Sequence, residues 1–182
     1  MTKRIFVAIP ICEELQALIL EWEKKWPGLP VRWLKGPNLH VTLVPPWEEE
    51  NVEVAIEKLK AAQNFGQFII KFDLVRYGPT SESPRLIWAE GTVPKEAVLL
   101  KESMEEVFNN KSDYRPWILH LTLARFNTAN FKNFGPQKLD ESVDWSQEVS
   151  SVVLMESVRT TTGTDYQILS IVDLKQSHTA SP

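Results

Sequence analysis

Two tetrapeptides constrain this chain more than any other feature: HVTL at residues 40 to 43 and HLTL at residues 120 to 123. They hold two of its three histidines, and both read His-x-Thr-Leu. With Thr and Leu at frequencies of roughly a twentieth and a tenth, such a match arises about once in two hundred histidines. Two matches therefore point to a duplicated unit, and the flanks agree. Arg4-Ile-Phe-Val-Ala8 precedes a helical stretch and then His40; Arg85-Leu-Ile-Trp-Ala89 precedes another and then His120. The arginine-to-histidine spacing is 36 residues in one copy and 35 in the other, so a strand, helix, strand unit ending in HxTL occurs twice. Folded about a pseudo-twofold axis, the two units would place both histidines in one central cleft.

Residues 3 to 10, KRIFVAIP, read as a strand. From Cys12 to Trp26 the apolar positions Leu15, Leu18, Ile19, Trp22 and Trp26 recur at helical spacing until PGLP stops them. VRWLK and NLHVTLV follow as short extended segments, and Val52, Ile56 and Leu59 form the stripe of a second helix. Residues 67 to 77 and 85 to 91 read as strands, with a helix from Pro94 to about Asn110 after them. Residues 127 to 147 are rich in Asn, Lys, Gly and acidic residues and read as a long loop. SSVVLMESV and DYQILSIVDL are two further strands joined by TTTGT. The pseudo-repeat units span about 3–80 and 84–174 of a single bilobal domain. Residues 175 to 182, with His178, have the composition of a flexible tail without a role.

A chain of 182 residues with 43% hydrophobic side chains can bury one substantial core. The net charge of −4 argues against attraction of long duplex nucleic acid by charge alone. A single cysteine, Cys12, excludes an internal disulfide and a cysteine zinc cage, and suits the cytoplasm. No stretch is long enough to span a membrane, so no membrane partner is expected, and the protein is expected to act as a monomer.

Residues two apart share a face of a strand, so His40 lies beside Thr42 and His120 beside Thr122, while Val41, Leu43, Leu121 and Leu123 point into the core. Two imidazoles in one cleft can divide acid and base work near neutrality, as phosphodiester cleavage without a metal requires. A threonine hydroxyl can donate to a phosphoryl oxygen without adding charge. For one motif alone a hydrogen-bonded structural histidine is the default reading; the repeat reverses it. A metal site is the alternative, but two histidines without a carboxylate or cysteine at ligand spacing make a poor zinc site, and Asp73 or Asp113 would have to approach in the fold. No metal and no cofactor are expected.

RIFVAIP at the start, VRWLKGPNLHVTL through the first motif, HLTLAR at the second and SVRTTTGTDYQIL near the end together resemble the 2H phosphoesterases, and within them the RNA 2′,3′-cyclic phosphodiesterases, also called 2′-5′ RNA ligases. The similarity runs from about Arg4 to Leu174. It implies an α+β, two-lobed duplicated fold of two antiparallel sheets with helices on their outer faces and a central cleft. It also implies hydrolysis of a terminal 2′,3′-cyclic phosphate on RNA 3′ ends to a 2′-phosphomonoester, with reversible 2′-5′ ligation. Carried over, His40 is the proton donor, His120 the proton acceptor, and Thr42 and Thr122 bind the phosphoryl oxygens. Arg125 completes HLTLAR as a phosphate ligand, although strand parity puts it on the Leu121 and Leu123 face unless the strand ends, twists or bulges near Ala124. Tyr166 is a candidate for stacking on a base. One departure from the family pattern is Val44-Pro45-Pro46-Trp47, where members often carry Phe-Leu-Gly; it leaves open the loop beside His40. Phosphodiesterases of small cyclic phosphates or 2′-5′ oligoadenylates, and a nucleotide-binding module without turnover, are the parallel readings.

Overall fold

The computed structural model describes residues 2–80, 82–112, 116–161 and 163–176. Nine strands and three α-helices follow in the order β1 (Lys3–Pro10), α1 (Glu13–Glu23), β2 (Arg32–Trp33), β3 (His40–Glu49), α2 (Val52–Leu59), β4 (Phe68–Gly78), β5 (Leu86–Gly91), α3 (Lys95–Phe108), β6 (Leu119–Arg125), β7 (Asp140–Val149), β8 (Ser151–Thr160) and β9 (Gly163–Asp173). They form two sheets, ordered β3-β1-β8-β9 and β2-β6-β5-β4-β7, in which every strand pairing is antiparallel. This is the α+β, two-sheet architecture expected. No helix among the described residues is long and apolar enough to cross a membrane.

The sheets do not follow the repeat boundary. β4 comes from the first half of the chain but pairs with β5 and β7; β8 comes from the second half but pairs with β1 and β9. Each sheet thus takes two strands from the other half, β8 and β9 in the first and β2 and β4 in the second. β1 and β5 sit in the middle, which explains why their sequences are continuous apolar runs rather than alternating ones. Ile5, Val7 and Ile9 of β1 and Ile87 and Ala89 of β5 face the main core. Phe6 and Ala8 on the opposite face of β1 join Val153 and Met155 in a second, smaller cluster. Burying each large apolar side chain fully contributes about 1.5–3 kcal/mol relative to exposure.

Three expectations change. Residues 127 to 147 are not a loop: a 3₁₀ helix spans Thr128–Asn133, and β7 pairs with β4 along its length. The tail does not begin at Lys175, whose N–H donates to the Phe65 carbonyl (2.8 Å) and which bridges to Gly66; His178 and Asp113 lie outside the described residues. The repeat register also shifts by one. Pro10 pairs with His40 and Ala8 with Thr42, whereas Glu90 pairs with His120 and Trp88 with Thr122. The counterpart of Trp88 is therefore Ala8, not Val7, and the match of Arg4 to Arg85 is out of step with the strand faces.

Gln147 of β7 joins the two sheets at one end. Its side-chain oxygen accepts the Cys12 N–H (3.0 Å) and its amide donates to the Pro10 carbonyl (2.9 Å), satisfying the turn between β1 and α1. Because each half lacks a strand it needs, residues 2–80 and 82–176 made as separate fragments should each fail to fold. Circular dichroism and amide spectra of each fragment check this; a dispersed spectrum from either alone would refute it.

Candidate active site

The two motifs open β3 and β6, strands of different sheets that lie against each other. His40 is held from three sides. Its Nδ1 lies 2.7 Å from the Asn38 carbonyl, its ring lies 4.9 Å from that of Phe6, and Tyr166 meets it edge-on at 4.9 Å. His120 repeats the arrangement, with Nδ1 3.0 Å from the Ile118 carbonyl and its ring 4.7 Å from Trp88. A carbonyl can only accept, so Nδ1 carries the proton in both rings and Nε2 is the nitrogen left to titrate.

The His40 pKa is pushed down to about 4, chiefly by burial, with the Asn38 hydrogen bond opposing and the charges of Arg125 and His120 adding to the shift. His120 is lowered as well, again chiefly by burial with Arg125 adding, but the Ile118 hydrogen bond and the Glu90 carboxylate work against the shift. The two sites are therefore not equivalent. Glu90 stands directly across from His120, whereas the residue across from His40 is Pro10. Arg76 holds Glu90 through Nε (2.8 Å) and Nη2 (2.7 Å) on the same oxygen.

A backbone feature settles the face of Arg125. In the β5–β6 register Ile87 faces Ala124 and Trp88 faces Thr122, so Leu123 is an extra, bulged residue. Leu123 and Ala124 both enter the core, and Arg125 returns to the face of His120 and Thr122. Its charge acts on both histidines. Leu43 bulges in the same way in β3, and the counterpart of Arg125 there is Pro45. The Val44-Pro45-Pro46-Trp47 departure is no loop, since β3 runs through it. β3 is an edge strand, where missing N–H groups are tolerated.

Several residues join the site that the sequence did not single out. Arg32 of β2 pairs with Arg125, which puts a second guanidinium in the same cross-strand row. Its Nη1 donates to the Thr164 carbonyl (3.4 Å), and a Cβ on Gly163 would fall 2.6 Å from it, so glycine there, at φ +136°, lets the β8–β9 turn close over the arginine. The buried Asn38 is a strut: its side chain accepts the Tyr166 N–H (3.1 Å) and donates to Asp165 (3.2 Å), while its carbonyl fixes His40. The GPN triplet before the first motif was the only signal for it. Tyr166 forms a wall of the His40 site together with Phe6. Among the described residues no group of three or more His, Cys, Asp and Glu side chains is placed to hold a metal; Asp73 is exposed on β4.

The model of the 2′-5′ RNA ligase superfamily matches residues 11–161. The RNA 2′,3′-cyclic phosphodiesterase of Methanocaldococcus jannaschii is 25% identical over 175 residues, covering 91% of this chain and 98% of that protein. The protein of the same name from Archaeoglobus fulgidus is 26% identical over 183 residues, covering 93% and 99%. A solved structure from Thermus thermophilus superposes with a TM-score of 0.78 at 22% identity, covering 96% of this chain and all of that one.

The charge on Glu90 raises the His120 pKa, so Glu90→Gln should lower it further and leave His40 nearly unmoved. NMR titration of the two imidazoles measures both; equal shifts in the two rings would contradict this arrangement.

Proposed function

The chain belongs to the 2′-5′ RNA ligase superfamily, and on that premise we propose that it hydrolyses the terminal 2′,3′-cyclic phosphate of RNA to a 2′-phosphomonoester, without a metal, using His40 and His120 as an acid–base pair. The observation that carries this reading is the pair of His-x-Thr faces on β3 and β6, with Arg125 returned to them by the bulge at Leu123. The cyclic phosphodiester, a monoanion, sits between the imidazoles. Arg125, Thr42 and Thr122 donate to its non-bridging oxygens and hold the charge that grows there. His120 Nε2 takes a proton from water as the water oxygen bonds to phosphorus, and the P–O3′ bond breaks as His40 Nε2 gives its proton to O3′. Tyr166, beside His40, flanks the terminal base. With a 5′-hydroxyl in place of water, the same step joins two ends: His120 takes the hydroxyl proton as its oxygen bonds to phosphorus, the P–O3′ bond breaks as His40 protonates O3′, and a 2′-5′ phosphodiester remains.

One observation favours the opposite division of labour. In the free cleft Glu90 stabilises the cationic form of His120, whereas His40 has no carboxylate across from it and is pushed down to about 4. A substrate with a phenolate leaving group, which hardly needs protonation, separates the two schemes. His40→Ala is rescued on it if His40 is the acid; His120→Ala is rescued if the roles are reversed.

Incubation with an oligoribonucleotide ending in a 2′,3′-cyclic phosphate, in excess chelator, should yield a 2′-phosphate; a 3′-phosphate, or no product, refutes the proposal. Either His→Ala change should lower turnover by about 10²- to 10⁴-fold, with the double variant scarcely worse, because the pair acts as a unit. Both imidazole pKa values lie below the ordinary 6.5 in the free cleft, one at about 4. The base is therefore lost on acidification and the acid on alkalinisation within that window. The bell of kcat/KM against pH should peak between about 4 and 6.5, and a peak above about pH 7 would contradict the site described.

A further inference from the structure

The concave face of the second sheet does not end at the histidine. A cavity of about 400 Å³ adjoins His120 and is walled by Trp88, Trp117, Ile118, Pro45 and Lys111. A second, of about 440 Å³, is walled by Arg76, Tyr77, Phe131, Gln137 and Lys138. Each falls within the roughly 300–1,000 Å³ usual for small-molecule sites. Pro79 and Thr80 line both, so that turn is their shared rim. The strand register gives the same continuity. Thr122 pairs with Trp88, Trp88 with Arg76, and Arg76 with Asp140, one row of side chains on one face running from the HxT motif of β6 to β7. At about 4.8 Å per strand step this row is about 14 Å long, too long for a cyclic mononucleotide and enough for a short run of chain.

We propose that this row and its two cavities form a track for single-stranded RNA, holding the nucleotides that precede the cyclic phosphate and placing the 3′ end against His120. The proposal rests on the phosphodiesterase reading and gives it a substrate class, an oligonucleotide rather than a small cyclic phosphate. The walls alternate aromatic rings with cations, the combination that binds unpaired bases and the phosphates between them. Trp88 is buried against His120, ring centres 4.7 Å apart, and against Gly78, where a Cβ would come within 2.5 Å of its indole, so it is the floor of the first cavity and the half-buried Trp117 is its stacking ring. Trp117 is backed by the ammonium of Lys101, 5.8 Å from its ring centre, and that buried lysine also pairs with Glu105 and with Ser112 (2.7 Å). In the second cavity Phe131 stands against Tyr77, ring centres 4.9 Å apart.

Charge decides what kind of binding this is. Arg76 is tied to Glu90 and Lys138 to Asp140 (3.0 Å), so carboxylates alternate with the cations. Yet the guanidinium has five N–H donors, of which Glu90 takes two, and an exposed lysine pair such as Lys138–Asp140 holds its partner weakly. Phosphates can enter without a strong net field, so stacking carries the affinity and the salt dependence is shallow. A chain with a net charge of −4 can bind an RNA end in this way where it could not hold a long duplex.

The test compares mono-, di-, tri- and tetraribonucleotides. Affinity is measured with their 2′-phosphate-terminated forms, and kcat/KM with their 2′,3′-cyclic forms. In the native protein both should rise about tenfold or more from mononucleotide to tetranucleotide. Phe131→Ala should lower tetranucleotide affinity by about 5- to 50-fold, and Lys138→Ser by about 2- to 5-fold, with mononucleotide affinity unchanged. Lys138 is a surface residue, so its variant serves if Phe131→Ala does not fold. A flat length dependence in the native protein, or variants that weaken mononucleotide and tetranucleotide alike, overturns the track. Length-dependent affinity without turnover of any cyclic end would keep the track and refute the phosphodiesterase reading, and rapid turnover with flat length dependence would do the reverse.

Discussion

The structure depends on two strand edges that neither half of the chain can satisfy alone. β1 carries the outer support of His40 and β5 that of His120, and each is buried on both faces, so an unpaired edge on either would leave a row of buried N–H and C=O groups without partners. β8 closes the edge of β1 and β4 the edge of β5. The exchange joins the two sheets into one cooperative unit and thereby holds β3 against β6, so the cleft is a product of the pairing and not of two domains that happen to meet.

The two His-x-Thr strands present one device in unlike surroundings. Across from one imidazole stands Pro10 and across from the other Glu90; beyond one bulge stands Pro45 and beyond the other Arg125; one ring rests on Phe6 and the other on Trp88. This inequality suits the proposed division of acid and base work, because it gives the two imidazoles different proton affinities. Burial lowers both, and the neighbouring charges then separate them.

Much of this was legible in the sequence because side-chain chemistry marks it. The HxTL pairs, the continuous apolar runs of β1 and β5, the helical stripe of α3 and the alternation of β4 all follow from which side chains are apolar. The missed features are of two kinds. The bulges at Leu43 and Leu123 are backbone events in residues that look like ordinary core leucines: strand parity requires a bulge near Ala124 for Arg125 to reach the cleft but cannot show that one is there, and the repeat alignment from Arg4 and Arg85 falls one residue out. β7 was hidden by its polar outer face, although Trp145, Gln147 and Val149 alternate inward; an edge strand with one solvated face has the composition of a loop. Arg32 and Asn38 act through partners on β6 and β9 far along the chain, which no local pattern reveals.

Gln147 carries one further consequence for the first histidine. Its amide makes one donated and one accepted bond to the same turn, as a peptide group of a neighbouring strand would, so it serves as one extra rung spanning the two sheets. The carbonyl it holds belongs to Pro10, the residue across from His40, while its own strand pairs with β4 in the sheet that carries His120. A side chain of one sheet thus anchors the strand end that backs the imidazole of the other.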